Sequence, residues 1–252
     1  MTALNLENKK LFGTSGSGHQ RKVWVNINGT NWLVKLNSKY REASKEVSVS
    51  KVLSLLNIPH ALYIPGEFAY NGKIHNGCMT KSYINGLETA VSLYSVISDI
   101  EIKRNESAIS YFNKTVNAVG DKLGIPVDRI SKYILTLMAL DYIFLNPDRH
   151  LSNIEFIIDQ NGKVTMAPYF DFGRSFLGRD GMISQSQFKA EEYKFKLRPF
   201  STNPEKNLIS IEAAKSVARV FEMRMHNISA LDIPDFHKYV IKKRVESIIQ
   251  LR

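Results

Sequence analysis

Polar and apolar residues alternate from residue 22 to 27, with Val23, Val25 and Ile27 on one face, the period of a half-buried strand. Asn28-Gly29, a pair suited to a turn with two positive φ values, then leads into Trp32-Leu33-Val34-Lys35-Leu36. Residues 9–36 therefore predict three strands, the first two joined by the small-residue loop Gly13-Thr14-Ser15-Gly16-Ser17-Gly18. Over 41–56 the period becomes helical, because Glu46, Val49, Leu53 and Leu56 recur at spacings of three, four and three. Residues 58–84 predict two or three further strands, with turns at Ile64-Pro65-Gly66 and Asn71-Gly72. Beyond Gly86 helical patterns cover about 87–98, 107–123 and 127–145, and the last is apolar nearly all round, hence buried, until Asn146-Pro147 stops it. A strand, the turn Asn161-Gly162 and another strand follow. Residues 174–206 are polar and aperiodic and predict a long loop, after which helices resume over 210–225 and 235–251.

With 252 residues, 44% of them hydrophobic, the chain can bury a sizeable core, and 14 Gly and 8 Pro exclude a low-complexity chain. The single cysteine, Cys78, excludes an internal disulfide framework and reads as a small buried hydrophobe in a reducing compartment. The first thirteen residues carry no apolar core of signal-peptide length, and the apolar stretch 133–145 is too short to span a membrane and is interrupted by Asp141. A soluble, cytoplasmic protein with no stable membrane insertion is the expectation. The net charge of +10 admits an anionic partner. Apart from Lys242-Lys243-Arg244 and the cluster 194–198, the basic residues are dispersed, which reads chiefly as a solvated surface.

Chemistry concentrates in residues 140–173, where Asp148 and Asn153 stand five apart in a polar loop and Asp171 follows the predicted hairpin. A two-residue loop at Asn161-Gly162 would set Gln160 opposite Lys163 and Asn153 opposite Phe170, beside Asp171. Both side chains reach one ion only if the ladder loosens at its open end, and Pro168, lacking a donor, gives a reason for that. Carboxylate and amide oxygens suit Mg²⁺, which keeps water and substrate phosphates as its other ligands. Asn153 and Asp171 are thus the candidate metal pair, and Asp148 is free to accept a proton from an attacking hydroxyl. Upstream, Lys35 sits among apolar strand neighbours and needs a partner if buried. Glu46, on the apolar helical stripe, is the candidate counter-charge, with Glu42 one turn earlier as the alternative. The loop holding Gly13, Ser15, Gly16, Ser17 and Gly18 lets backbone N–H groups approach a polyphosphate. It is not a Walker A loop, since His19 rather than Lys follows Gly18. Asp141, inside the buried helical pattern, reads as a satisfied core carboxylate.

The order of these parts, a Gly-rich loop, Lys35, Glu46, Asp148-Arg149-His150-x-x-Asn153 and Asp171-Phe172-Gly173, resembles the protein-kinase-like fold over residues 10–175. The Asp-Arg-His-x-x-Asn form is similar to that of phosphoinositide kinases and, more so, of HipA-like serine/threonine kinases of the HipT/CtkA type. The resemblance implies a two-lobed α+β fold: an antiparallel sheet lobe with one helix over 1–82, then a mostly helical lobe over 83–252. It implies ATP and Mg²⁺ as cofactors, Asp148 as catalytic base, Asn153 and Asp171 as metal ligands, Lys35 on the phosphates and Glu46 as its ion-pair partner. The hinge that reads adenine would fall at Met79 to Lys81. Autophosphorylation in the Gly-rich loop would fall on Ser15 or Ser17. The substrate would be a protein, of which a translation factor or tRNA synthetase is one kind, and the chain would suit the toxin of a toxin–antitoxin system. The N-terminal domain of full-length HipA proteins is expected to be missing, leaving room for an antitoxin or accessory polypeptide. Arg21 stands where a Gly-x-Gly-x-x-Gly series would end, so the phosphate geometry would differ from that of eukaryotic kinases. A lipid kinase, and a pseudokinase or nucleic-acid-binding module using the basic surface, are the competing readings.

Overall fold

The structure, a computed structural model, describes residues 3–7, 20–101, 103 and 105–252. The expectations for a first strand near residue 9 and for Gly13, Ser15, Gly16, Ser17 and Gly18 lie outside the described residues. The N-terminal part is a five-stranded sheet of β1 (Leu4–Asn5), β2 (Lys22–Ile27), β3 (Thr30–Leu36), β4 (Ile64–Tyr70) and β5 (Lys73–Lys81), in the order β1-β4-β5-β3-β2. It is antiparallel except where β1 pairs with β4 in parallel, so the sheet is mixed. Asn28-Gly29 and Asn71-Gly72 both adopt positive φ at their two residues, 50° and 79°, 52° and 66°, as two-residue hairpins require. Ile64-Pro65-Gly66 is no turn but the start of β4. Pro65 stands there before β1 joins at Phe68, where a missing donor is tolerated. Gly77 of β5 is obligatory, because a Cβ would lie 2.4 Å from the Lys35 carbonyl oxygen.

Helix α1 (Glu42–Leu55) buries Ala43 and Val47 with Ala61, Tyr63 and Cys78 of the sheet side, while Val49, Val52 and Leu53 join the core of the helical part. One helix thus belongs to both halves. That second half is built on α3 (Ala108–Leu123), α4 (Val127–Phe144), α7 (Ile211–Met223) and α9 (Asp235–Gln250). In α4, Ile130, Ile134, Leu137, Met138, Leu140, Ile143 and Phe144 are all buried, as its apolar circumference predicts. Leu145 ends it in the left-handed region (φ 49°), and Asn146 donates its N–H back to the Asp141 carbonyl.

Three further expectations are corrected. Residues 87–98 hold strand β6 (Thr89–Ser92) and only one short helical turn, α2 (Leu93–Val96). Thr89 to Ser92 pair with β7 (Glu155–Ile158), which in turn pairs with β8 (Val164–Met166), and this tertiary edge overrides the local pattern. The hairpin at Asn161-Gly162 is present, but Ile158 pairs with Val164, one residue from the expected register. Gly162 alone takes positive φ (76°), Gly162 N–H reaches the Asp159 carbonyl and Asp159 N–H the Lys163 carbonyl, so the loop has three residues. Residues 174–206 are not one loop: α5 (Gln185–Lys194) starts there from a reciprocal Ser184/Gln187 cap, and α6 (Pro204–Asn207) follows. Helix α8 (Met225–Ala230) connects α7 to α9. Among the described residues no helix is long and apolar enough to cross a membrane.

Candidate active site

A strand, a helix and a loop converge on Lys35. From β3 its ammonium reaches Glu46 Oε1 on α1 at 2.5 Å and Asp171 Oδ1 at 3.1 Å. The side chains of Lys35 and Glu46 are 5% and 0% exposed, whereas Asp171 keeps 38%. Burial works against the charge on Lys35, yet the adjacent carboxylates, Glu46 first, hold its pKa well above the ordinary lysine value. Glu46 also accepts the Phe172 N–H at 3.0 Å through Oε2, so the same carboxylate fixes the Asp-Phe-Gly segment. Glu42, the alternative partner, accepts instead from the Ser38 hydroxyl and N–H before α1 begins.

Asp171 takes φ 62°, a region a non-glycine residue occupies when its surroundings dictate it. Its second oxygen accepts from Asn153 Nδ2 at 2.7 Å. The one-residue register shift explains this meeting. Extrapolated past Pro168, the observed pairing gives residues 153 and 171 the same side-chain parity, which the two-residue turn would have denied them. Burial would raise the Asp171 pKa, but Lys35 and then Arg149 hold it well below the usual carboxylate range.

Sequence reasoning gave Arg149 no role. It is fully buried, its Nε and Nη2 bond Asp141 at 2.8 and 3.1 Å, and its Nη1 bonds the carbonyls of Asn153 (3.1 Å) and Phe170 (2.7 Å). Its guanidinium also lies 4.8 Å from the Phe172 ring centroid. Asp141 is therefore a satisfied core carboxylate, as expected, completed by Asn146 Nδ2 at 2.8 Å. The signal was available: a carboxylate in a helix apolar all round demands a counter-charge, and Arg149 follows eight residues later. Asp148, next to this buried arginine, is exposed.

A cleft of about 330 Å³ opens onto these groups, lined by Lys22, Trp24, Leu33, Lys35, Ala61, Tyr63, Thr80, Lys81, Ser82, Tyr83, Ile84, Ala90, Ser152, Asn153, Glu155, Phe170 and Asp171. Of the expected hinge residues Lys81 lines it at the end of β5, whereas Met79 packs with the sheet core. The chain crosses at Ser82 to Ile84, and the Tyr83 hydroxyl donates to Glu155 at 2.7 Å, joining the crossing to β7. Lys22, paired with Lys35 across the β2–β3 ladder, adds a cation that the sequence reading did not single out. Among the described residues no cluster of three or more His, Cys, Asp or Glu could hold a metal by itself. The donors present, one carboxylate and one amide beside two lysines, fit instead a hard cation that completes its shell with water and phosphate oxygens.

A strand lysine held by a helix carboxylate, over an Asp/Asn pair on a loop and a following Asp-Phe-Gly, defines a protein of the protein-kinase-like fold. Solved structures that share it include the following two. The Helicobacter pylori proinflammatory kinase CtkA matches with a TM-score of 0.66 and 16% identity, over 98% of this chain and 94% of that one. HipA of Shewanella oneidensis MR-1, solved in a toxin–antitoxin complex with HipB and operator DNA, matches with a TM-score of 0.60 and 13% identity, over 97% and 68%. At these identities the likeness is one of fold. No family model and no curated relative matches the sequence.

Proposed function

We propose that this chain is an ATP- and Mg²⁺-dependent phosphotransferase that phosphorylates serine or threonine hydroxyls of a protein. The observation that carries the reading is Lys35 held between Glu46 and Asp171, with Asn153 bonded to the same Asp171 carboxylate. Lys35 would take the α- and β-phosphates, and Asp171 and Asn153 would hold Mg²⁺, which when bound neutralises charge on the β- and γ-phosphate oxygens. Asp148 orients the acceptor hydroxyl and takes its proton as the oxygen–phosphorus bond forms. The bond from the γ-phosphorus to the bridging oxygen breaks, and ADP leaves with that electron pair. Thr80, Lys81 and the crossing at Ser82 to Ile84 line the space for the adenine.

A protein acceptor and self-phosphorylation at Ser15 or Ser17 follow from the motif likeness to HipA-like serine/threonine kinases, and a reducing, cytoplasmic setting suits the single cysteine, Cys78. An antitoxin-like partner follows from the solved HipA complex with HipB. Incubation with radiolabelled ATP, Mg²⁺ and a cell lysate, followed by phosphosite mapping, should give protein phosphorylation that Asp148→Asn loses by about a hundredfold or more. Transfer by Asp171→Ala at the wild-type rate would overturn the assignment.

A further inference from the structure

We propose that a second cleft, on the far side of the catalytic loop, is where an acidic protein segment docks to present its hydroxyl; this rests on the phosphotransferase reading and names its acceptor. The cleft, about 340 Å³, is lined by Tyr94, Tyr111, the run Arg149 to Ser152, Arg198 and Pro199. Ser152 lines this cleft and the nucleotide cleft alike, so the two spaces adjoin across one residue. His150, two residues after Asp148, is exposed on the catalytic loop that forms its wall. An acceptor seated here lies against the loop that would deprotonate it.

The charge comes from residues 194–198. Lys194, which ends α5, is exposed, and beyond it exposure alternates: Lys196 and Arg198 are exposed while Phe195 and Leu197 are buried, so these two cations share one outward face. This ridge descends from the end of α5 to the cleft, where Arg198 becomes its wall. Its lower end is fixed rather than floppy. Asn207, fully buried, donates to the Arg198 carbonyl at 2.8 Å and accepts from the N–H groups of Phe200 and Ser201 at 3.1 Å each. Phe200 packs edge-on against Tyr111 at 5.2 Å and Phe112 at 5.4 Å, tying the ridge to α3. A core residue thus positions exposed cations over a partly aromatic cleft, in which Tyr94 is 59% exposed. Two tyrosines and a fixed row of cations suit an extended peptide bearing carboxylates, which neutral or basic segments would match less well.

The test measures fluorescence anisotropy of a labelled peptide of alternating Glu and Ser, its Gln-for-Glu counterpart and single-stranded oligouridylate, each with the full chain at low salt. The Glu peptide should bind about tenfold tighter than the Gln peptide, and Lys196→Glu/Arg198→Glu should abolish the difference while Arg198→Lys keeps it. The double variant should bind Mg²⁺-ATP as the wild type does, since neither residue touches the nucleotide cleft. Equal binding of the two peptides, a preference surviving the double variant, or oligouridylate outcompeting the Glu peptide on this face would overturn the proposal. Failure of the wild type to bind Mg²⁺-ATP would overturn the phosphotransferase reading instead, leaving the peptide result to stand.

Discussion

Arg149 has no exposed surface and directs every bond inward, to one carboxylate and two backbone carbonyls. The carbonyls belong to Asn153 and Phe170, so one side chain sets the distance between the candidate metal ligands, Asn153 and Asp171. Its fork suits three partners at once in a way that a lysine ammonium does not. Arg149→Met strands the Asp141 carboxylate in the core and should cost about 3–5 kcal/mol in urea unfolding, because a buried charge is left uncompensated. Arg149→Met/Asp141→Leu should recover most of that stability, since a well-packed apolar pair can replace a buried ion pair. Activity should stay lost in the double variant, with the two carbonyls still unpaired. Recovery of both together would mean that Arg149 holds the core and not the site. At this scale the site was largely legible. Lys35, Glu46, Asn153 and Asp171 stand together because each carries a charge or amide at a position whose period predicts burial or turn. The donor satisfying Asp141 was not, since periodicity says that a buried carboxylate needs a partner and not which loop supplies it.

Helix α1 carries Glu46, and a second set of buried polar groups holds its first turns. Lys45 is fully buried and bonds the Tyr40 carbonyl at 2.6 Å and Asp180 at 3.2 Å. Asp180 also accepts from the Ser44 hydroxyl at 3.1 Å and lies 3.2 Å from Nε2 of the buried His237 on α9, whose ring stacks on Phe176 at 3.9 Å. The segment after Asp-Phe-Gly is thereby tied to α1 and α9, even though Phe176 and Leu177 both take positive φ. Burial would raise the Asp180 pKa, but His237 and Lys45 bring it down to about 2 from an ordinary 3.8. A depressed carboxylate contributes stability that is complete above about pH 4 and is lost as pH falls toward 2. Thermal melts between pH 5 and 2 should therefore show Asp180→Asn already weakened at pH 5, by on the order of 1–2 kcal/mol, and converging on the wild type at pH 2. A constant gap across that range would remove Asp180 from the linkage. Elements whose burial is local, such as α1, α3 and α4, were readable to within a residue or two. The register of β7 on β8 was not, because the Asp159 carboxylate captures the N–H groups of Asn161 and Lys163 and favours the three-residue loop. Helix α5 escaped because among its ten residues only Phe188 is buried, which leaves no stripe to read.

Two of the polar links between the halves of the molecule converge on the catalytic groups: Lys35 to Asp171, and Phe172 N–H to Glu46. Both run between the sheet or α1 and the loop after β8, so a ligand touching Lys35 and Asp171 together closes a bridge across the chain. Such a ligand should stabilise the whole fold by mass action, about 2.7 kcal/mol at a hundredfold excess over its Kd. For a chain of this size that corresponds to a rise in Tm of roughly 5–10 °C with Mg²⁺-ATP. Chelating the metal should remove part of the rise, because Asp171 and Asn153 then face the phosphates with no cation between them. Asp171→Ala should show the smaller, metal-independent rise whether or not Mg²⁺ is present. Asp148→Asn should keep the full rise, since Asp148 is exposed and lies outside the Lys35, Asn153 and Asp171 set that would hold the ligand. This pairing separates binding from chemistry: one aspartate is read by the melting curve and the other only by transfer. An equal Mg²⁺-dependent rise in Asp171→Ala would place the metal elsewhere and break the link between cleft and fold.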